Sequence, residues 1–532
     1  MFKKKNILFI IPPYLAVEKY QDKSSEAKVS VLTLPYGLLS IISYCNSQNE
    51  FNFKVLDLNK VILEDLKGDL KKNTLKSVIN TIKNFNPEYI GISALFNNAF
   101  SYLKFIIPEM RKQVSDKFIC LGGGLGTTLY KEIFEDIPEL DAICYGEGEK
   151  PFKELLDNDS TSSDAWITKE KLKKGFTPKH DFIENLDDLP MIDYSYMPYF
   201  EYNSRSLLDK EENSNKTELY IHTSRGCPFN CVFCANGEIH GKKIRMMSSE
   251  KVIETILYYK KTYNMSVLII DDDHFLFNKK RAISILEKIK NLNIKVEFPN
   301  GLAVYKIDDD ISRALFEAGV KFVPLAIESG SDYVLKNIIN KPLKVSQIHK
   351  AINSLKKNKI RVHAFIVIGF PDETIEHRKE TFDMLLKSDI DWVYIFMAIP
   401  SVGSRLYDIC KEKGYLLTEN FDSCTTTKCN IKNCESSPEE IEEYSYYVNI
   451  IVNFIDNNNY RKGNFQICKN YFLNVIKNYP DHAIAYFMLS RITEGIERTK
   501  YLQKYLDIIN ESSFWKNIRN KIIFDGYFAE EL

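Results

Sequence analysis

The sequence has almost no net charge. Its 532 residues hold 71 lysines and arginines against 72 aspartates and glutamates, which leaves a formal net charge of −1 at pH 7. A chain balanced in this way has no overall field that would draw it to nucleic acid or to an anionic membrane. We therefore expect no nucleic acid and no membrane among its partners.

Long hydrophobic runs are also missing. The apolar run near the start, residues 6–11, meets Pro12-Pro13 at once, whereas a membrane helix needs about 20 apolar residues. It predicts a buried strand and neither a membrane span nor a signal peptide. Without a secretion signal, the 11 cysteines are expected to be thiols or metal ligands, not a disulfide framework, and the expected location is cytoplasmic.

Two series of short apolar runs alternate with helical periodicity. The first series predicts a parallel sheet with covering helices, and the second predicts a parallel barrel or partial barrel with functional groups at the carboxyl ends of its strands. The runs of the first series are 6–11, 52–57, 88–93, 117–121 and 141–145. Those of the second are 219–221, 266–270, 294–299, 321–326, 360–368 and 392–398.

The fold class is therefore α/β, with a helical carboxy-terminal region. One segment there, about residues 460–486, resembles a single tetratricopeptide hairpin, for which a plain helical cap is the alternative. The expected domains are a Rossmann- or flavodoxin-like domain, a polar linker, a partial (β/α)6 barrel and the helical region. Their expected bounds are 1–156, 157–212, 213–410 and 411–532.

Three cysteines follow the first barrel strand closely. Cys227, Cys231 and Cys234 have the spacing C-x3-C-x2-C, and three thiolates on one loop can hold a four-iron cluster. Because such a cluster has four corners, one iron is left open to an external ligand. A zinc site is the alternative, but structural zinc takes four ligands, commonly in two separated pairs, and no histidine follows at finger spacing.

This loop, with Phe233 just before the third cysteine, resembles the signature of the radical S-adenosylmethionine (SAM) superfamily. The resemblance implies a [4Fe-4S] cluster that binds SAM through its open iron and cleaves it to a 5′-deoxyadenosyl radical. It also implies an electron donor such as flavodoxin or ferredoxin. In such enzymes the cofactor carries the difficult chemistry and the protein directs it.

Later barrel loops resemble the SAM contacts of the family. Asp272, in an acidic run after the second strand, occupies the place of the family's glycine-glycine-glutamate motif but departs from it, so which carboxylate meets the SAM amino group stays open. Glu328 and Ser329 match the ribose-contacting position, where a carboxylate accepts hydroxyl hydrogens and a serine also suits a helix cap. Gly369 opens a loop like the one that supports adenine and methionine.

The first β/α series resembles the cobalamin-binding domain that precedes many radical SAM barrels. Glycines after the fourth strand let a ligand approach the backbone, and the carboxyl edge of such a sheet is its ligand crevice. An ordinary Rossmann-like domain or a nucleotide binder is the alternative, although no G-x-G-x-x-G follows the first strand. The expected cobalamin contacts are Pro35, Gly37, Ser93, Gly122, Gly123, Gly124 and Glu147.

A second absence concerns histidine. The Asp-x-His-x-x-Gly motif that supplies an axial histidine in other cobalamin proteins is missing, because Asp57-Leu58-Asn59 contains no histidine. We therefore expect cobalamin without histidine ligation, and complete loss of cobalamin is the alternative.

The other cysteines form two groups. Cys424, Cys429 and Cys434 are spaced C-x4-C-x4-C and are expected to be incidental or locally paired thiols, with an auxiliary cluster as the alternative. The cysteines in apolar surroundings, expected to be core residues, are Cys45, Cys120, Cys144 and Cys468.

The resemblance implies methyl transfer to an unactivated carbon of a small molecule or peptide, through a 5′-deoxyadenosyl radical and methylcobalamin. The first alternative is a radical oxidation, cyclisation or ring rearrangement without methylation. The second is a cobalamin sensor or assembly protein with a structural cluster, against which the open iron argues. Substrate contacts come from loops in which we recognise no motif.

Overall fold

The structure is a computed structural model that describes residues 4–20, 32–202, 216–418 and 424–527. The chain divides into two compact units. The described residues of the first unit are 4–20, 32–202, 216–300, 399–418 and 424–425, and those of the second are 301–398 and 426–527.

A six-stranded sheet organises the amino-terminal part of the first unit. Its order is β2-β1-β3-β4-β5-β6, and every pairing is parallel except that of β6 with β5. The strands are β1 (Asn6–Ile11), β2 (Asn52–Asp57), β3 (Tyr89–Ser93), β4 (Phe118–Gly122), β5 (Ala142–Cys144) and β6 (Trp166–Ile167). The order reverses at β1, as in a flavodoxin-like sheet, where ligands bind at the carboxyl edge.

Amphipathic helices cover this sheet because its strands are buried and apolar on both faces. Their side chains pack with the strands into one core that includes Leu8, Ile90 and Leu121. The helices of this part are Tyr36–Cys45, Leu58–Glu64, Leu70–Phe85, Phe100–Arg111, Gly124–Thr128, Tyr130–Asp136, Glu149–Asn158 and Lys169–Lys173.

The first unit also contains the first half of the second series. A parallel sheet of order β11-β10-β7 is formed by β7 (Thr217–Ile221), β10 (Met265–Ile270) and β11 (Lys295–Glu297). A two-residue antiparallel pair, β8 (Ser224–Arg225) with β9 (Arg245–Met246), flanks the cysteine loop. The helices here are Asn236–His240, Ser249–Tyr263, Lys279–Ile289 and Arg405–Glu412.

The second unit holds the other half of that series and the helical region. Its sheet has the parallel order β12-β13-β14, formed by β12 (Phe322–Glu328), β13 (Arg361–Ile368) and β14 (Trp392–Met397). The α-helices are Asp309–Glu317, Val345–Lys357, Ile375–Lys387, Pro438–Ile450, Asn458–Arg461, Phe465–Asn478, Ala483–Ile492, Gly495–Glu511 and Ser513–Phe524.

The helical region has an aromatic core of its own. Trp392 at the start of β14 packs with Phe454, Phe472 and Phe487 in one buried cluster. Helices Phe465–Asn478 and Ala483–Ile492 contact each other, which is compatible with the predicted hairpin. No helix in the described part of the chain is long and apolar enough to cross a membrane.

Every strand predicted from an apolar run is present, within a few residues of its predicted bounds. The additional strands are β6, which lies within the predicted linker, and the pair β8–β9. Residues 203–212 of that linker lie outside the described residues. The prediction of core cysteines is confirmed, because Cys45, Cys120, Cys144 and Cys468 are all buried.

Candidate functional site

All seven residues predicted to contact cobalamin line one cavity of the first unit. They are Pro35, Gly37, Ser93, Gly122, Gly123, Gly124 and Glu147. They come together because parallel strands β3, β4 and β5 end at the same edge of the sheet. Their contact with cobalamin stays a prediction, but the structure brings them to one site.

The cavity is modest in volume and partly open to solvent. Its volume is about 230 Å³, slightly below the roughly 300–1,000 Å³ that is common for ligand pockets. Gly37 lines it, and a Cβ built at that position would meet no atom within 4 Å, so the missing side chain leaves open space for a ligand. A cavity of this size is compatible with one part of a cobalamin, such as its nucleotide tail, and with a corrin that extends beyond the cavity.

Gly123 is required for a close backbone approach at this edge. Its φ of +95° lies in the region that favours glycine, and a Cβ there would stand 2.4 Å from the carbonyl oxygen of Ala94. Any side chain would push β3 and β4 apart where they meet the cavity.

The sequence reasoning missed several cavity residues that come from the barrel series. His222, Arg225, His240 and Asp271 line the same cavity. The His222 ring stacks on Tyr36, with ring centroids 4.4 Å apart, and its Nε2 lies 3.5 Å from Asp271 Oδ2. Only strand order, and no local sequence pattern, indicates that the end of β7 faces the first domain.

Glu147 lies at the centre of a buried ion network. Its Oε1 accepts a hydrogen bond from Arg245 Nη2 at 2.6 Å, and its Oε2 accepts one from Arg225 Nη1 at 3.0 Å. The Nδ1 of His240 lies 2.8 Å from Oε1. Nearby, Glu149 Oε1 accepts from Arg225 Nη2 at 2.8 Å. Glu147, predicted as a cofactor contact, is thus also a partner of the chain's own cations.

This network sets the charge of its members. Burial alone would raise the pKa of Glu147, but Arg225, Arg245 and His240 outweigh it and hold that pKa well below its usual range. Burial alone would lower the pKa of Arg225, but Glu149 and Glu147 reverse the shift and raise it. Both side chains are therefore ionised although they are buried.

The cysteine loop is fixed at its start by two aspartates from the end of β10. Asp272 Oδ2 accepts hydrogen bonds from Thr223 Oγ1 at 2.5 Å and from Ser224 Oγ at 2.8 Å, and Asp272 Oδ1 accepts from the Thr223 N–H. Asp273 Oδ2 accepts from the Gly226 N–H at 3.0 Å. Burial raises the pKa of Asp272, although these hydrogen bonds and Arg281 oppose the shift.

The three cysteines lie on one loop between β8 and helix Asn236–His240. Cys227 and Cys231 are half-buried and Cys234 is exposed, while Phe233 beside them is half-buried. In the described part of the chain, no three His, Cys, Asp or Glu side chains are gathered closely enough to hold a metal ion. The donor set, three thiols on a single loop that can be deprotonated, nevertheless fits a cluster with one open iron.

In the second unit, Glu328 ends β12 in an unusual backbone conformation. Its φ is +68°, next to an irregularity in the pairing of β12 with β13. Its Oε1 accepts a hydrogen bond from Lys341 Nζ at 3.0 Å, and it is buried. Such backbone is costly for a residue with a long side chain, and residues of this kind are enriched at binding and active sites. The adjacent Ser329 is buried, with its Oγ 3.1 Å from Thr381 Oγ1.

The loop after β13 contains another buried carboxyl group, that of Glu373. Gly369, predicted to support SAM, donates its N–H to Glu373 Oε2 at 2.6 Å. Oε1 of Glu373 is buried and has no hydrogen-bond partner among the described residues. Burial raises the pKa of Glu373 to about 7, although the backbone hydrogen bond of Gly369 and the charge of Arg378 oppose it.

Three cysteines are predicted as incidental or locally paired thiols: Cys424, Cys429 and Cys434. Among the described residues, none of them belongs to a group of three side chains that could hold a metal ion. Cys429 Sγ lies 3.3 Å from the Ile431 carbonyl oxygen. Cys434 is exposed, and its N–H donates to the Pro371 carbonyl oxygen at 2.9 Å. Burial raises the pKa of Cys429 and of Cys434, which makes both weaker ligands and nucleophiles in this state.

Comparison with known proteins agrees with these features. The sequence model of the B12 binding domain matches residues 27–156, and that of the radical SAM superfamily matches residues 221–385. A Pyrococcus horikoshii protein named "Uncharacterized methyltransferase PH0819" is 30% identical over 449 residues, which cover 83% of this chain and 91% of that protein. The cytidylyl-2-hydroxyethylphosphonate methyltransferase of Streptomyces wedmorensis is 25% identical over 401 residues, which cover 69% of this chain and 75% of that protein.

Solved structures share the fold. TsrM from Kitasatospora setae, a radical SAM methyltransferase solved with cobalamin and a [4Fe-4S] cluster, has a TM-score of 0.59 at 14% identity, with 96% of this chain and 100% of that chain covered. The cobalamin-dependent SAM radical enzyme OxsB has a TM-score of 0.60 at 14% identity, with 95% of this chain and 84% of that chain covered.

The fold and the matched domains define a radical SAM enzyme with a cobalamin-binding domain ahead of its radical SAM domain. The chain belongs to this family. It is a cobalamin-dependent radical SAM methyltransferase, and its cofactors are a [4Fe-4S] cluster, SAM and cobalamin.

Proposed function

We propose that this enzyme transfers a methyl group to an unactivated carbon of a small molecule or peptide. One observation carries the proposal. The glycine-rich edge of the first domain and the end of β7, which leads into the cysteine loop, line the same cavity. When bound, the cluster, SAM and cobalamin together supply hydrogen abstraction and a transferable methyl group. The chain's own residues bind and orient these groups.

Cys227, Cys231 and Cys234 are the proposed cluster ligands. Asp272 and Asp273 hold the start of their loop through Thr223, Ser224 and the Gly226 N–H. Both oxygens of Asp272 already accept hydrogen bonds from the loop, which favours a role in orienting the loop, alone or in addition to the predicted contact with SAM.

Glu328 is the proposed ribose-binding residue, with Ser329 beside it and Gly369 at the next strand end. The ion pair with Lys341 keeps the Glu328 carboxylate in place and leaves its other oxygen able to accept a hydroxyl hydrogen. Phe233, next to the third cysteine, is proposed to pack against SAM.

Residues of the predicted 1–156 domain are proposed to hold cobalamin without histidine ligation. Two imidazoles, of His222 and His240, do line the cavity, but both come from the barrel series. The Nδ1 of His240 is bonded to Glu147, and the Nε2 of His222 faces Asp271. These contacts give each ring a partner other than a metal.

The proposed partners are a small-molecule or peptide substrate and a flavodoxin or ferredoxin as electron donor, and the proposed location is the cytoplasm. Sequence relatives are named for different small molecules, including a cytidylyl phosphonate and bacteriochlorophyllides. Those names support a small-molecule substrate, and the balanced charge supports one outside nucleic acids and lipid bilayers.

The test is anaerobic incubation of the reconstituted enzyme with trideuteromethyl-SAM, a strong reductant and fractionated metabolites and peptides of its source organism. Mass spectrometry should find a product that has gained a trideuteromethyl group in place of one hydrogen, together with 5′-deoxyadenosine. A product that forms with 5′-deoxyadenosine but without the label contradicts methyl transfer and favours radical oxidation or rearrangement.

A further inference from the structure

The strand pair that opens the cysteine loop sets two like charges opposite each other. Arg225 of β8 and Arg245 of β9 are direct partners in the antiparallel pairing, and both are buried. Like charges opposite each other destabilise a strand pair. Glu147 lies between them, since its Oε2 accepts from Arg225 Nη1 at 3.0 Å and from Arg245 Nη1 at 2.9 Å. The pairing before Cys227 therefore depends on a carboxylate from the first domain.

A second carboxylate, that of Glu149 at the start of helix Glu149–Asn158, strengthens the connection. Glu149 Oε1 accepts from Arg225 Nη2 at 2.8 Å and from Ser40 Oγ at 2.6 Å. Ser40 belongs to helix Tyr36–Cys45, whose first turn lines the cavity. Arg225, two residues before Cys227, is thus joined to both acidic residues at the start of helix Glu149–Asn158, Glu147 just before it and Glu149 within it.

The same ion network forms part of the cavity wall. Glu147, Glu149, Arg225 and His240 all line the cavity. A ligand that fills the cavity therefore contacts the groups that hold the start of the cysteine loop.

We propose that Glu147, Glu149 and Arg225 are positioning residues that couple the cobalamin cavity to the orientation of the cluster loop. The proposal rests on the proposed function, because it assumes that the cavity holds cobalamin and the loop holds the cluster. Arg225 suits this role because its planar fork bonds two carboxylates at once, which a lysine ammonium cannot do in the same geometry. Misplacement of a reacting group by about 1 Å can cost roughly a hundredfold in rate.

The test compares Arg225→Lys with Arg111→Lys in the reconstituted full-length enzyme loaded with cob(II)alamin. Arg111 is a matched control, because its Nη2 bonds Asp141 at 2.7 Å in the same unit but lies outside the cavity lining. Three quantities are measured anaerobically: iron and cobalamin content, the rate of 5′-deoxyadenosine formation, and the magnetic interaction between cob(II)alamin and the reduced cluster by paramagnetic resonance.

At equal iron and cobalamin content, Arg225→Lys should alter the magnetic interaction and slow 5′-deoxyadenosine formation by about tenfold or more, whereas Arg111→Lys stays within about twofold of the unmodified enzyme. If Arg225→Lys does not fold, Glu149→Gln should change both readouts in the same direction by a smaller factor.

Unchanged resonance and cleavage rate in the folded variant, or a rate loss that only follows lost iron, would overturn the positioning role. If the unmodified enzyme forms no 5′-deoxyadenosine, the proposed function fails instead, and the magnetic interaction alone then decides whether the network positions the loop.

Discussion

Two buried carboxyl groups of this enzyme have pKa values shifted in opposite directions, and their neighbours explain the difference. Glu147 in the first unit is surrounded by Arg225, Arg245 and His240, and its pKa is held well below the usual range. Glu373 in the second unit accepts the Gly369 N–H and has a single nearby cation among the described residues, Arg378, so burial dominates and raises its pKa to about 7. Burial alone therefore does not decide ionisation, whereas the supply of nearby cations does.

The largest expected effect is a loss of stability when Glu147, the ionised carboxyl group of this comparison, is replaced. Glu147→Ala leaves Arg225 and Arg245 buried without the carboxylate between them, and breaking such a pair costs roughly 3–5 kcal/mol. Anaerobic urea unfolding should show this loss.

The control for that variant is Glu250→Gln. Glu250 pairs with Lys288 at 2.9 Å, but its side chain is 74% exposed, so its replacement should cost much less stability than that of Glu147, because solvent screens an exposed pair. Equal losses in the two variants would mean that the buried network contributes no more than a surface pair.

The second expected effect concerns Glu373 and the way in which it makes the free energy of unfolding depend on pH. Because its folded pKa of about 7 lies above the ordinary value of 4.5, the folded state holds this proton between these two pH values while the unfolded chain releases it. The contribution is fully present below the unfolded pKa and is lost as pH rises through the folded pKa. Glu373→Gln keeps an oxygen acceptor for the Gly369 N–H and removes the titration.

The variant should therefore gain stability relative to the unmodified enzyme between pH 5 and pH 8, by roughly 3 kcal/mol across the window. Urea midpoints at the two pH values measure it. A constant difference across that window would show that Glu373 titrates in its ordinary range.

The smallest expected effect concerns Glu328, which forms an ion pair with one cation, Lys341. Glu328→Gln keeps the shape but weakens the acceptor for the SAM ribose. Loss of a charge-assisted hydrogen bond of about 1.5–3 kcal/mol should raise the SAM dissociation constant roughly tenfold or more and leave iron content unchanged.

Equilibrium binding at full cluster content measures this constant, with Glu376→Gln as the control, because that side chain is 72% exposed in the same unit. Unchanged SAM affinity in Glu328→Gln and in Glu328→Ala would move the ribose contact to another residue.

Much of the fold was predictable because buried parallel strands are continuous apolar runs. β6 and the β8–β9 pair were not, because two-residue strands carry no periodicity. The cavity was predictable from residues 1–156, since strand ends and glycines mark the edge of a sheet.

The barrel-series residues that contact this edge of the sheet were not predictable from local sequence. Arg225 and Arg245 follow Glu147 by 78 and 98 residues, and such distant ion pairs leave no spacing pattern. His222 and Asp271 reach the cavity for the same reason, through the order of the strands and not through a motif.

The most direct test of the central claim is 5′-deoxyadenosine formation by the reconstituted enzyme with SAM and a strong reductant, before and after replacement of Cys227, Cys231 and Cys234 by alanine. The unmodified enzyme should hold a cluster and cleave SAM, and each single replacement should abolish both, because two thiolates do not hold the open-iron geometry. Normal 5′-deoxyadenosine formation and full iron content in the triple replacement would contradict the assignment of the cluster and with it the radical mechanism.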